Sequence, residues 1–553
     1  MAGKQARDDK YNLYSTLQVT CYTLHVFVLR VTSYALHVII YDMRRTVVLI
    51  ILDGWGIGKE DESNPIHVVQ PKTFKFLEEN YPITSLQASG ISVGLPWGEV
   101  GNSEVGHLTL GSGRVIYQYY PRITMSIQDG TFFENPALLG CVEHVKKNDS
   151  TLNFAGLLSK GNVHASIEHV KALLKFAEQQ GITKVKLHLF ADGKDMSPKT
   201  LEGLIKELPM DKIATVIGRY YAMDREGNWR LTKEAYDCMT GSGGTLVRGN
   251  LDELIKNNYA KGLNEEFLVP LKVQADCGIK DGDALFFFNY REDSIRQIAM
   301  AFIDKEFDNF PRKEMPNLHV ATMSHYMDKF QVPVAYPPEV ITSPLGKVIS
   351  DAGLTQLRLA ESYKYAHVTY FFNSYVETPY TGEYRVLVPS EPIPHPDEHP
   401  QMMASAITDR LVQAMENRAF DFILVNYANG DTIAHSGNYH ASLEAVKTID
   451  AEIGRVVQVA LNTDAIVIIT SDHGNMEELI NPATGRVETQ HDPSPVPFYL
   501  MSREFKGRKF INWQSVANEP IGIISDVAPT ILNIMGLKQP EDMSGKNLLR
   551  DLV

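Results

Sequence analysis

The chain has 553 residues, too many for one ordinary core, and about 150 residues per domain suggests two to four domains. A hydrophobic share of 44% with 22% charged residues excludes disordered and collagen-like classes. The balance of 53 Lys and Arg against 67 Asp and Glu, net −14, argues against a general nucleic-acid binder.

Cys21, Cys141, Cys238 and Cys277 lie far apart with no CxxC pair. They read as reduced thiols of a reducing compartment, neither a zinc site nor a disulfide frame. Residues 1–45 look foreign to the rest of the chain. Thr20, His25, Arg30, Thr32, Ser33 and His37 interrupt the apolar stretch 17–41, so no membrane span is expected. Asp8 and Asp9 dilute the basic start, which makes a poor secretory signal. The segment reads as a dispensable extension.

Val47–Leu52 is a short β-branched run ending at Asp53-Gly54, and it suits a central strand of a largely parallel sheet. Gly101-Asn102-Ser103-Glu104-Val105-Gly106-His107 sets a serine between glycines where a helix could begin. Helix N–H groups there favour a phosphate, although on local grounds alone a plain Gly/Ser turn is the favoured reading. Gly111-Ser112-Gly113-Arg114 lacks the Lys-Ser/Thr of a nucleotide-binding P-loop.

The middle of the chain repeats the α/β rhythm. Strands are expected at Thr151–Leu158, Val185–Phe190, Ile213–Ile217, Ala284–Phe288 and Leu318–Thr322. Helices are expected at Ala165–Gln180 and Pro198–Leu208, the latter capped by Ser197. Helical patterns follow at Ala404–Met415 and His440–Leu461. Between and after them, strands Phe422–Val425 and Ala465–Thr470 lead to Gly430-Asp431 and Ser471-Asp472-His473-Gly474. The simplest architecture is two α/β domains, the second inserted near the start of the first. The expected segments are 46–117 with 339–553, and 118–338.

In open α/β sheets, ligands sit beyond the carboxyl ends of the strands, and three strands here deliver an aspartate there. Asp53, Asp431, His435, Asp472, His473 and His491 form a candidate metal set. Three carboxylates with three imidazoles suit Mn²⁺ or Zn²⁺ better than an all-oxygen Mg²⁺ or Ca²⁺ cage, and suffice for two ions. A Ser103 hydroxyl beside such ions needs no dedicated histidine base.

Val48-Leu49-Ile50-Ile51-Leu52-Asp53-Gly54-Trp55-Gly56, Gly101–His107 and Ser471-Asp472-His473-Gly474-Asn475 closely resemble the alkaline-phosphatase superfamily. Within it, the match is to the cofactor-independent phosphoglycerate mutases. Gly218–Arg225, Glu361–Thr369, Asp526–Thr530 and Met543–Lys546 support it, and the resemblance spans Thr46 to Leu549. It implies an alkaline-phosphatase-like domain, a transiently phosphorylated Ser103 and two Mn²⁺ ions, with Mg²⁺, Co²⁺ or Zn²⁺ as substitutes. By the family pattern, Asp431, His435 and His491 hold one ion. Asp53, Ser103, Asp472 and His473 hold the other.

The resemblance further implies that His164, Lys194, Asp195, Arg219, Arg225, Arg291, Arg296 and Lys364 bind substrate, with Asp195 moving protons. Arginine forks suit a glycerate that carries a carboxylate and a phosphate. Lys194 and Ser294 stand where the family usually has arginine. The implied reaction is interconversion of 3-phosphoglycerate and 2-phosphoglycerate in glycolysis and gluconeogenesis. Closure of the two domains would exclude water. The expected setting is a cytoplasmic monomer with no nucleic-acid or membrane partner. A metal-dependent phosphatase, another phosphomutase or a silent metal- or anion-binding protein are the alternatives.

Overall fold

The computed structural model describes residues 45–481, 483–508 and 519–552. The expected extension, apart from Arg45, and Cys21 lie outside them. The chain forms two compact units. The first comprises the residues up to Ser89, Val100–Val115 and everything from Thr342; the second comprises Gly90–Glu99 and Ile116–Ile341. Residues 90–99 thus group with the later segment and not with the strand that precedes them.

The first unit holds an eight-stranded sheet. Its spatial order is Glu383–Val388, Gln356–Glu361, Phe422–Tyr427, Val47–Leu52, Ile466–Thr470, Val496–Met501, Ile83–Gln87 and Gly522–Ile523. Val47–Leu52, Phe422–Tyr427 and Ile466–Thr470 are buried at every position, which is why Val47–Leu52, Phe422–Val425 and Ile466–Ile469 read as apolar runs. Their registers run level: Val47 faces Phe422 on one side and Ile466 on the other, in parallel pairing. Ile51 therefore pairs with Thr470, and two residues further along each strand stand Asp53 and Asp472.

Only Val496–Met501 breaks the parallel pattern of its neighbours, running antiparallel to both. Helices Ala404–Glu416 and Tyr439–Thr463 bury Ile407, Leu411, Val446, Ile449 and Ile453 in one core with Val48 and Ile50. Those apolar positions recur at helical spacing, so each helix commits one face to the sheet.

The second unit has its own eight-stranded sheet, in the order Val334–Tyr336, His319–Ser324, Ala284–Phe287, Leu152–Leu158, Val185–Ala191, Ile213–Gly218, Leu271–Lys272 and Thr245–Leu246. The four middle strands from Ala284 to Gly218 are parallel, with buried faces on both sides.

One expected element is corrected. The helix read over Pro198–Leu208 spans only Leu201–Ile205, and Ser197 does not cap it. Lys199 takes a left-handed φ of 67°, and the amides of Lys199 and Thr200 donate to the buried Glu265 carboxylate. A carboxylate far along the chain does the capping, so the local Ser-Pro signal misleads. Among the described residues, Cys141, Cys238 and Cys277 are free and buried, and no helix is long and apolar enough to cross a membrane.

Candidate functional site

Ser103 opens a ten-residue helix, Ser103–Ser112, whose preceding Asn102 caps it by accepting from the Val105 amide. Gly106 lets this helix lie against the strand end that carries Asp472: a Cβ there would meet the Asp472 carbonyl at 2.6 Å. Gly54 has a left-handed φ of 70° and passes the Asp431 backbone so closely that a Cβ would stand 2.9 Å from it. The Asp431 amide in turn donates to the Asp53 carbonyl. Small residues thus bring three loops within reach of one another.

The Ser103 hydroxyl lies 3.0 Å from Asp53 Oδ1 and 2.9 Å from His473 Nε2. Lys364 Nζ, on the short turn after strand Gln356–Glu361, donates to Asp53 Oδ1 at 2.6 Å, Ser103 Oγ at 2.7 Å and Asp431 Oδ2 at 2.7 Å. Asp53, Asp472 and His473 are fully buried; Asp431 and Lys364 are nearly so. Burial works against the Lys364 charge, but Asp53, Asp431 and Asp472 outweigh it and hold its pKa above the ordinary lysine value. Burial likewise opposes charge on His473, yet Asp472, Asp53 and Asp431 hold that imidazole up at about 9. The carboxylates draw in positive charge from whatever source is near.

The imidazoles are oriented by the backbone. A carbonyl can only accept, so His435 Nδ1 donates to Thr489 O at 2.9 Å, His491 Nδ1 to Gly101 O at 2.7 Å and His473 Nδ1 to Gly474 O at 3.2 Å. Each ring is left with Nε2 directed at the carboxylates. His435 Nε2 and His491 Nε2 are 3.1 Å apart, and each is 3.2 Å from Asp431 Oδ1. Donors bound at about 2.1 Å to one ion stand about 3.0–3.4 Å from each other, so these three edges fit one coordination sphere. Asp472 Oδ2 is buried and accepts no hydrogen bond, and it too suits an ion.

His107 is different. Its Nδ1 lies 3.1 Å from Asp472 Oδ2 but gives its hydrogen to Ser103 O at 2.8 Å, and Nε2 accepts from Asn426 at 3.1 Å. Asn426 also donates to Asp53 Oδ2 at 2.7 Å, and Asn475 donates to Asp431 Oδ1 at 2.9 Å. Asn426 and Asn475 hold the carboxylates in place and His107 braces Asn426, and sequence reading gives these three no role. His107 and Asn475 lie inside the quoted motifs; Asn426 is the penultimate residue of strand Phe422–Tyr427, and that position is its sole signal.

The second unit gathers a separate polar cluster at the carboxyl ends of its middle strands. Arg219, directly after Ile213–Gly218, donates through Nη1 to Asp192 Oδ1 at 2.8 Å and Asp195 Oδ1 at 2.7 Å. Asp195 Oδ2 accepts from His164 Nδ1 at 2.7 Å, and the other ring nitrogen lies 3.3 Å from Ser294 Oγ. Burial pushes the Asp195 carboxyl up, but His164 and Arg219 outweigh it and keep it below the usual range. Arg225 and Arg291 both donate to Asp293 Oδ2, at 2.8 and 3.1 Å, with their side chains about half exposed.

Two expected members have side-chain partners of their own. Lys194 Nζ pairs with Glu266 at 2.7 Å, and Arg296 binds Tyr326 O and Glu292. Asp192 and Asp293, which sequence reading does not single out, supply the anions that hold the arginines.

A family profile described as the Metalloenzyme superfamily matches residues 45–539. The chain is 40% identical over 519 residues to a 2,3-bisphosphoglycerate-independent phosphoglycerate mutase of Methanosarcina barkeri, covering 92% of this chain and 98% of the relative. A protein of the same name from Thermomicrobium roseum is 42% identical over 517 residues, covering 91% and 98%. Among solved structures, a Leishmania mexicana phosphoglycerate mutase at low cobalt concentration is similar with TM-score 0.50 and 26% identity, covering 91% and 97%. The profile and the clustered donors together support divalent-metal binding by this chain. The chain belongs to the 2,3-bisphosphoglycerate-independent phosphoglycerate mutase family.

Proposed function

We propose that the chain interconverts 3-phosphoglycerate and 2-phosphoglycerate without 2,3-bisphosphoglycerate, through a phosphoserine at Ser103, as a cytoplasmic monomer serving glycolysis and gluconeogenesis. The observation that carries this reading is the Ser103 hydroxyl, set at a helix N-terminus between Asp53, His473 and Lys364 at 2.7–3.0 Å. Two Mn²⁺ ions would be held by Asp431, His435 and His491, and by Asp53, Ser103, Asp472 and His473. When bound, such ions neutralise charge on transferring phosphoryl oxygens and lower the pKa of a serine hydroxyl.

The chain's own groups do the rest. The positive end of the Ser103–Ser112 helix favours a phosphoryl group on its first residue. Lys364 donates to the Ser103 oxygen, and Asn426 and Asn475 keep the carboxylates aimed. In our assignment, residues 46–117 and 339–553 carry the phosphoryl transfer, and residues 118–338 grip the glycerate through His164, Arg219, Arg225 and Arg291. Asp195, kept ionised by Arg219 and His164, can take a proton from a glycerate hydroxyl. Lys194 and Arg296, paired here with Glu266 and Glu292, would add to this grip.

The test incubates purified, Mn²⁺-loaded protein with 3-phosphoglycerate and no bisphosphoglycerate, following 2-phosphoglycerate and free phosphate. Release of phosphate with no 2-phosphoglycerate would make it a phosphatase.

A further inference from the structure

Lys364 touches donors of the proposed metal centre unevenly. All three hydrogens of its ammonium are used, on Asp53 Oδ1, Ser103 Oγ and Asp431 Oδ2. Asp53 Oδ1 and Ser103 Oγ are donors proposed for one ion. At Asp431 the ammonium takes Oδ2, whereas His435 Nε2 and His491 Nε2 both face Oδ1. The two ion positions are therefore not equivalent towards this lysine. One meets a cation already seated on its donors; the other has a carboxylate oxygen and two imidazole nitrogens turned towards it.

The need for a seated cation comes from burial. Asp53 is fully buried and Asp431 nearly so, and two such carboxylates cannot share a dry space without a compensating charge. Asn426 and Asn475 satisfy one oxygen of each but bring no charge. Lys364 brings it, from a flexible four-carbon stem on a three-residue turn, Ser362–Lys364. A long stem can withdraw; a histidine ring pinned by its own Nδ1 cannot.

We propose that Lys364 is an internal counter-ion that competes with the ion at Asp53, Ser103, Asp472 and His473 and not with the ion at Asp431, His435 and His491, so that the two ions load in order, the His435/His491 position first. The proposal rests on the two-ion reading and goes beyond it: it gives the lysine a role before any substrate arrives.

The test compares the full chain with Lys364→Met, which keeps the length of the stem and removes its charge. Mn²⁺ binding is followed by calorimetry on stripped protein, and from the loaded side by competition with a chelator of known strength, in case the stripped variant unfolds. The parent should show a tight and a weak step. Lys364→Met should tighten the weak step by at least about tenfold, since a unit charge a few ångströms away has been removed. The tight step should change by less than about threefold. His491→Asn should abolish the tight step alone, which assigns it. One ion bound by the parent and two by Lys364→Met is the same result carried further. A weak step that is unchanged or loosened, or two steps tightened equally, overturns the inference. Absence of Mn²⁺ binding by the parent overturns the two-ion reading as well, which separates the two failures.

Discussion

Nε2 of His435 stands 3.1 Å from Nε2 of His491, with both rings already donating their Nδ1 hydrogens to backbone carbonyls. Two ring lone pairs at that distance repel unless a cation lies between them. Chelation should therefore inactivate the enzyme and Mn²⁺ should restore it. Bound Mn²⁺ should also raise the melting temperature, because it binds the folded chain and not the unfolded one. Activity at limiting Mn²⁺ should fall as pH drops, since protonated imidazoles do not ligate. A thoroughly stripped protein with full activity would end the metal reading.

Ser103→Ala should abolish turnover and phosphoserine formation, read by mass spectrometry of the protein after incubation with substrate. The fold should persist, because Asp53 keeps its bonds to Lys364 and Asn426 when the hydroxyl is gone. Near-normal mutase activity in this variant would take Ser103 out of the mechanism.

Arg225→Ala should shift the balance from mutase to phosphatase. A mutase must retain glycerate while it reorients, and on a chain of net charge −14 only local cations can do so. Losing one charge-assisted hydrogen bond costs about 1.5–3 kcal/mol, or one to two decades of turnover. Arg225 is about half exposed and bound only by acidic neighbours, so its loss should leave stability intact. More free phosphate should then appear per 2-phosphoglycerate formed. Unchanged rates of both products would remove Arg225 from the grip.

The second unit should lose stability in mild acid. Burial pushes His169 and His188 down to about 3, and their unfolded pKa is about 6.5. Between these values the unfolded chain binds protons that the folded chain refuses. The contribution is complete above pH 6.5, is lost as pH falls, and flattens below about 3. Each histidine contributes a slope of about 1 kcal/mol per pH unit. Urea midpoints at pH 7, 5.5 and 4.5 should show it, and His188→Gln should flatten the slope relative to the parent. Equal slopes in both proteins would refute this assignment of the acid sensitivity.

The parts legible in the sequence share a physical cause. Val47–Leu52, Phe422–Tyr427 and Ile466–Thr470 are buried on both faces, so each opens with four or more apolar residues in a row, and the aspartates beyond stand out. Strand Val496–Met501 is hidden in the sequence because it contains Pro497, which speaks against a strand on local grounds. Asn426 is hidden because a buried amide that holds a carboxylate looks, in sequence, like any polar residue at a strand end. The Leu201–Ile205 helix reads too long because Glu265, which binds the amides just before it, lies some 65 residues on. The pairing of Arg225 with Asp293 arises on folding, as does that of Lys194 with Glu266, and neither has a spacing signature.

The level register of the three central strands has a consequence for how this chain can vary. Each residue advances a strand by about 3.3 Å, more than the span of one metal–ligand bond. A single residue gained or lost between Val47 and Asp53, or between Ile466 and Asp472, would carry a carboxylate out of its neighbours' reach. It would also turn every later side chain of that strand to the opposite face. The strands thus serve as a fixed ruler for the chemistry. Changes in chain length have to be absorbed at the far ends of the strands or in outer connections, where no aspartate keeps the count.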